Sequence, residues 1–148
     1  MYRHILIPTD GSELAQKAVS HGLSLAKAVG AKVTALIVEH TFNVYSVPES
    51  KLYMMPKEFA EYTAHIKEHA AVVLSGVAQA AKAAGVSCDI LQMVHDHPYE
   101  AIIDAANEKG CDLIVMASHG RSGISAMVLG SVTLKVLTHT KIPVLVCH

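Results

Sequence analysis

"DLIVMASHGRSGISAMVLGS", Asp112 to Ser131, is the stretch on which the fold of this chain turns. Its first part, Asp112 to Ala117, is a short and nearly continuous apolar run. Such a run has no polar face to show to water, so it suits a strand buried on both faces of a parallel sheet. The rest holds Gly120, Gly123 and Gly130, with Arg121, Ser122 and Ser131 as hydrogen-bond donors. Glycines let backbone N–H groups come close to a ligand. Gly130-Ser131 also opens a helical pattern, and a helix N-terminus is a natural anion site. Composition alone leaves a flexible loop before a serine-capped helix as open as a phosphate cradle.

Outward from this stretch, four more apolar, β-branched runs read as strands: His4 to Thr9, Lys32 to Glu39, Ser87 to Val94 and Ile142 to Cys147. Helical patterns lie between them. Ser12 can cap a helix that turns Ala15, Ala18, Val19, Gly22, Leu25, Ala26 and Val29 inward and ends at Gly30. A longer helix follows Pro56, with Phe59, Tyr62, Ile66, Ala70, Val73, Val77, Ala80 and Ala84 on one face and Gly85 at its end. A third opens at Pro98, turns Tyr99, Ile102, Ile103 and Ala106 inward and stops at Gly110. The fourth starts near Gly130, carries Val132, Val136 and Leu137, and ends before Pro143.

Strand and helix thus alternate throughout. That predicts an α/β fold, an open five-stranded parallel sheet with helices on both faces, Rossmann-like in layout. The 148 residues suit one domain, 1–148. Residues 40–56 form the one long irregular piece, and its Met and aromatic content suggests that it folds over a ligand or a second subunit.

The bulk numbers exclude several classes. Net charge is −1 and no basic run stands out, which argues against nucleic acid as the main partner. No apolar run approaches the ~20 residues of a membrane helix, so membrane insertion is not expected. The start carries no signal-peptide pattern, and three scattered cysteines fit a reducing, cytoplasmic setting better than a disulfide or zinc framework.

In open α/β sheets ligands bind beyond the carboxyl ends of the strands. After the first strand comes "PTDGS", where the Asp10 carboxylate either receives ribose or ring donors or helps to cap the following helix. After the fourth comes the opening stretch. It is neither a GxxxxGK[ST] loop, a GxGxxG fingerprint nor a GxSxG elbow.

With "ILIPTDGS", "LIVMASHGRSG" and "LGSVTLKVL…IPVLV" in one chain, the sequence resembles the universal stress protein (UspA) family, of the single-domain ATP-binding type, from His4 to Val146. Nucleotide-binding members carry G-x2-G-x9-G-[ST] after the fourth strand. Here Ala117 stands at the first glycine, Gly120 at the second, and Gly130-Ser131 closes the pattern nine residues later. Asp96 stands where members often show the glycine of Gly-x-Pro. The resemblance implies that Pro8, Thr9 and Asp10 line an adenosine pocket and that Val38 meets the adenine. Met116 and Ala117 would border the nucleotide, and Gly120, Arg121, Gly130, Ser131 and Val132 would surround the phosphates. It also implies ATP, ADP or AMP as ligand, with Mg2+ on the phosphates, a homodimer through the last strand, and a regulatory protein partner. No residue beyond Arg121 suggests itself for charge stabilisation in hydrolysis, so a binding and stress-response role is expected, with little or slow turnover. A slow ATP phosphohydrolase and a non-nucleotide dimeric scaffold remain the alternatives.

Ten histidines invite a metal reading. Glu61, His65 and His69 share a helical spacing, and His95, Asp96 and His97 form a local cluster. A solvated helix face and a loop with a helix cap are the favoured readings. His119 is read as packing within its turn.

Overall fold

A computed structural model describes residues 1–41, 55–120 and 129–148. The elements follow the expected alternation: β1 His4–Pro8, α1 Glu13–Val29, β2 Lys32–Glu39, α2 Met55–Ala84, β3 Cys88–Val94, α3 Pro98–Lys109, β4 Leu113–Ala117, α4 Ser131–His139 and β5 Val144–Cys147. The five strands are all parallel and lie in the order β3-β2-β1-β4-β5. The α/β sheet covered on both faces is therefore the fold of this chain.

Alternation along the central strands divides the core into two layers. Ile5, Ile7, Val33, Ala35, Ile37, Leu113 and Val115 pack beneath α1 and α2, meeting Ala18, Leu23, Ala70, Leu74 and Val77. Leu6, Leu36, Ile114 and Met116 face α3 and α4, meeting Ile102, Ala105, Ala106 and Val136. These strand residues pack on both faces of β1, β2 and β4, which is why those segments carry almost no polar residues. Gly22 sits where α1 presses on β1: a Cβ there would lie 2.4 Å from Ile7 Cδ1.

Local signals place the helix ends. Ser12 accepts the Ala15 N–H at 3.2 Å, and Gly30 closes α1 in the left-handed region at φ 72°. Gly110 does the same for α3 at φ 68°. Such values carry little steric cost for glycine alone.

Several inward assignments shift. Leu23 is buried in α1, while Leu25 is half-buried and Val29 exposed. In α2 the buried positions are Ile66, Ala70, Leu74, Val77 and Ala81, whereas Phe59 and Ala80 face outward. In α3, Ala101 and Ala105 are buried beside Ile102 and Ala106, and Tyr99 and Ile103 are half-buried. The alanine-rich helices offer adjacent small residues that fit either side of the stripe, so spacing alone does not select between them. β3 is an edge strand, and Ile90 and Val94 are more than half exposed.

Of residues 40–56, positions 42–54 lie outside the described residues. At the start of that piece the Thr41 hydroxyl donates to Asp96 Oδ1, and the Tyr62 hydroxyl donates to the His40 carbonyl at 3.3 Å.

Candidate functional site

The strand order reverses between β1 and β4. From β1 the chain moves outward to β2 and β3, then returns across the sheet to β4 and β5. The chain leaves β1 for α1 on one face of the sheet and β4 for α4 on the other, and such a switch point is where open α/β sheets bind ligands. The seam opens before that point. β1 and β4 pair through Ile5–Leu113 and Leu6–Ile114. Thr9 then donates its N–H to Leu36 on β2 at 2.8 Å. Successive residues of a strand point their backbone groups to opposite neighbours, so position 8 faces β4, and Pro8 has no N–H to give.

The β1–α1 loop is braced by its own side chains. Thr9 is buried, and its hydroxyl accepts the Gly11 N–H at 3.2 Å. Asp10 Oδ1 accepts the Ser12 N–H at 2.9 Å. Gly11, at φ +79°, needs its missing side chain twice over, because a Cβ would also come within 2.7 Å of Val73 Cγ2 on α2. Asp10 thus fills the turn-bracing part of the expectation with one carboxylate oxygen. The other, Oδ2, lies 2.6 Å from where a Cβ on Gly120 would sit. The two loops meet at that contact.

The β4–α4 junction is drawn together from both motif halves. The Ser118 N–H donates to the Cys147 carbonyl at 2.8 Å, and the Ser118 carbonyl accepts the Gly130 N–H at 2.7 Å. The Thr133 hydroxyl donates to the Ala117 carbonyl at 2.9 Å. Gly130 approaches the other half so closely that its Cβ would lie 3.0 Å from His119 Cα. Being glycine, it also gives α4 no side-chain cap, in contrast to Ser12 on α1. The first-turn N–H groups of α4 have no partner within the helix, and Ser131 at its first position is exposed.

The other expected residues divide by layer. Met116 is buried among the side chains beneath α3 and α4, and half-buried Val38 and Val132 pack against the same cluster. Ala117 belongs to the opposite layer, under α1 and α2, so its methyl group fills core rather than the space beside Val38 and Met116. Pro8 is buried at the end of β1. Arg121 lies outside the described residues.

Sequence reasoning missed one polar pair at this end of the sheet. Glu39, one residue after Val38, faces His69 on α2, with Oε1 and Nε2 3.7 Å apart. The sequence marks His69 only as a member of a helical stripe; in the fold it is half-buried, while His65 is exposed. Position 39 at the strand's carboxyl end was the signal available for Glu39. His95 Nδ1 accepts the His97 N–H at 2.8 Å, a local turn. Among the described residues no three His, Cys, Asp or Glu side chains converge as a metal site would require.

The amino end of the same seam is built differently. Asp112 accepts the N–H of Arg3 at 2.9 Å and of His4 at 3.0 Å. Burial pushes its carboxyl upward, but these N–H groups outweigh that and hold it below the ordinary aspartate value. His4 is 5% exposed, with Nε2 2.8 Å from Thr34 Oγ1. Burial and then the Lys32 charge keep it below its ordinary value. Burial raises all three cysteines, Cys111 to about 11, so each stays a thiol at neutral pH.

The universal stress protein family model matches residues 1–148. The chain belongs to that family. Universal stress protein MJ0531 of Methanocaldococcus jannaschii is 32% identical over 146 residues, covering 99% of this chain and 82% of the relative. Among solved structures, that of the hypothetical protein MJ0577 superposes with a TM-score of 0.80 at 28% identity, covering 99% of this chain and 96% of the other. A universal stress protein solved in complex with cAMP superposes at 0.72 and 26% identity, covering 99% and 97%. As a universal stress protein, the chain shows no helix among its described residues long and apolar enough to cross a membrane.

Proposed function

We propose that this universal stress protein is a single-domain, cytoplasmic stress-response regulator that binds an adenine nucleotide between the carboxyl ends of β1 and β4. The observation that carries the reading is the contact of Asp10 with Gly120, one residue from each loop, beside a helix N-terminus whose cap residue, Gly130, brings no side chain. The cAMP complex of a relative supports the choice of an adenine nucleotide.

In this reading Pro8, Thr9 and Asp10 bound the nucleoside. The Asp10 carboxylate, already fixed through Ser12, accepts from a ribose hydroxyl or a ring amine. Val38 and Met116 offer an apolar wall to the base, with Ala117 behind it. Gly120, Arg121, Gly130, Ser131 and Val132 surround the phosphates, which α4 receives through its first-turn N–H groups. That arrangement removes the need for a lysine. Among the described residues Asp10 is the carboxylate placed at this contact, so Mg2+ would ride on phosphate oxygens and water rather than in a protein cage. Hydrolysis needs a positioned water and a base as well as charge stabilisation. Asp10 Oδ1 already accepts the Ser12 N–H, which favours binding with little or slow turnover. Binding would alter the β4–α4 connection and so the affinity for a regulatory protein partner. The homodimer would form at the β5 edge, where Leu145 is 42% exposed.

The test is direct. The purified protein is denatured and its supernatant chromatographed for ATP, ADP and AMP; added ATP at 100 times its Kd should then stabilise the fold by about 2.7 kcal/mol. A supernatant without adenine nucleotide, together with an unmoved melting temperature, would overturn the reading.

A further inference from the structure

We propose that β3 is a self-pairing edge: two copies of this chain join β3 to β3, antiparallel, about a two-fold axis through Gln92. The inference is independent of the nucleotide reading and concerns the side of the sheet opposite β5. β3 is the outermost strand there. Its odd positions are turned to β2: the Val33 N–H donates to the Ser87 carbonyl at 2.8 Å, and the His95 N–H to the Glu39 carbonyl at 2.9 Å. Backbone groups alternate along a strand, so the N–H and C=O groups of Cys88, Ile90, Gln92 and Val94 point outward. Among the described residues no loop returns to pair with them. Lysine, proline or shortness blunts most exposed edges. β3 has seven residues, CDILQMV, with neither lysine nor proline, and Ile90 and Val94 are 54% and 53% exposed.

The strand is complementary to itself in one register. With Gln92 opposite its own copy, Ile90 faces Val94 of the second copy, and Val94 faces its Ile90. These pairs lie on the face of the sheet covered by α1 and α2, where Cys88 packs. The outward backbone groups meet as hydrogen-bonded pairs at 90, 92 and 94, which supplies about six backbone bonds across the axis. On the other face, where Leu91 and Met93 pack, Leu91 falls opposite Met93. Asp89 falls opposite His95, one residue beyond the strand. His95 Nδ1 accepts the His97 N–H, so its hydrogen is on Nε2, and Glu100 Oε2 at 4.0 Å is beyond hydrogen-bond reach of it. The Asp89 carboxylate is thus met by a donor, and no like charges face each other. A shift of the register by two residues sets Gln92 against Ile90 or Val94 and parts Asp89 from His95. The occupant that this edge fits is therefore a second copy of the chain.

Sedimentation velocity over a concentration series tests this with wild type, Ile90→Glu, Val94→Lys and the double variant. Wild type should show an association step that either single substitution weakens at least about tenfold, because two apolar pairs per interface each gain an unpaired charge. The double variant should regain the step, and so should an equal mixture of the two single variants, since position 90 then faces position 94 with opposite charge. All sites are exposed, and melting curves should confirm folded variants. Gln92→Cys should form a disulfide-linked dimer under mild oxidation, as opposed Cα atoms in such a pair lie about 5.5 Å apart; wild type, which keeps Cys88, is the control. A wild-type protein without an association step overturns the proposal. So does a step that the single substitutions leave unchanged, a double variant that fails to regain it, or a Gln92→Cys protein that stays unlinked.

Discussion

At the amino end of the seam between β1 and β4, one carboxylate gathers the chain: Asp112, just before β4, accepts the N–H groups of Arg3 and His4. At the carboxyl end of the same seam, Pro8 has no N–H to contribute and the ladder stops short. The same two strands are closed at one end and parted at the other. The difference teaches where this fold spends its polar groups. Asp112 is consumed by the fold, holding two backbone donors. Asp10, at the open end, commits Oδ1 to its own turn and brings Oδ2 against the neighbouring loop. A similar contrast separates two helix N-termini. α1 is capped from within by Ser12, and α4 begins at a glycine that caps nothing. In the proposed function, the open seam and the glycine-headed helix are one feature.

Substitution can break that comparison. The largest effect is expected at Gly120. Its φ is not in the left-handed region, so a side chain strains no backbone there, yet its Cβ would sit 2.6 Å from Asp10 Oδ2. Gly120→Leu should weaken ATP at least about 100-fold, since an isobutyl group fills space a phosphate or ribose would occupy. Equilibrium titration reads this, and the unliganded melting temperature should stay within a few degrees of wild type. Unchanged affinity would remove the crevice from the account.

Asp112→Ala is the mirror experiment. It leaves the Arg3 and His4 N–H groups without their acceptor, at a cost of about 2 kcal/mol in denaturant unfolding. ATP affinity in the folded variant should not change. If nucleotide binding fell instead, the two ends of the seam would not be separable.

A smaller effect concerns pH. His4 is held below its ordinary value of 6.5, so the unfolded chain takes up a proton before the folded one does. The stability is full above that value and falls as acid is added below it, until the folded His4 also protonates. Asp112 is held below 3.8, and its contribution disappears only when pH falls through that lower folded value. Thermal melts should therefore be flat from pH 8 to 7 and decline below 6.5. His4→Gln should lessen the first decline and spare the more acidic one. A melting temperature that rises on acidification would contradict this.

Much of the fold was legible along the chain. Lys32–Glu39 has the same bounds in sequence and structure, and Ser12, Gly30, Gly85 and Gly110 mark helix ends because each signal is local. What local pattern could not decide was which of two adjacent small residues faces the core. Ala80 and Ala81 differ only by their angle around α2, and the fold buries the second. Nor could it decide that β3 lies at an edge, because Ile90 and Val94 look as apolar as any central strand. The two candidate loops were legible as loops at strand ends. Their contact was not, because the distance from Asp10 to Gly120 depends on strand order. Ala117 shows the same limit. The motif says only that it stands at the first glycine, whereas alternation along β4 turns its methyl group into the α1–α2 layer.

The central claim is that α4, whose cap residue Gly130 brings no side chain, receives phosphate at its N-terminus, and Ser131→Asp tests it most directly. A carboxylate at the first position of α4 favours the helix N-terminus by roughly 0.3–1 kcal/mol, while its charge opposes a phosphate at the same place. ATP titration of the variant beside wild type, each with its unliganded melting curve, measures both effects. The account predicts an equal or higher melting temperature with ATP binding lost. A variant that keeps wild-type ATP affinity would contradict it.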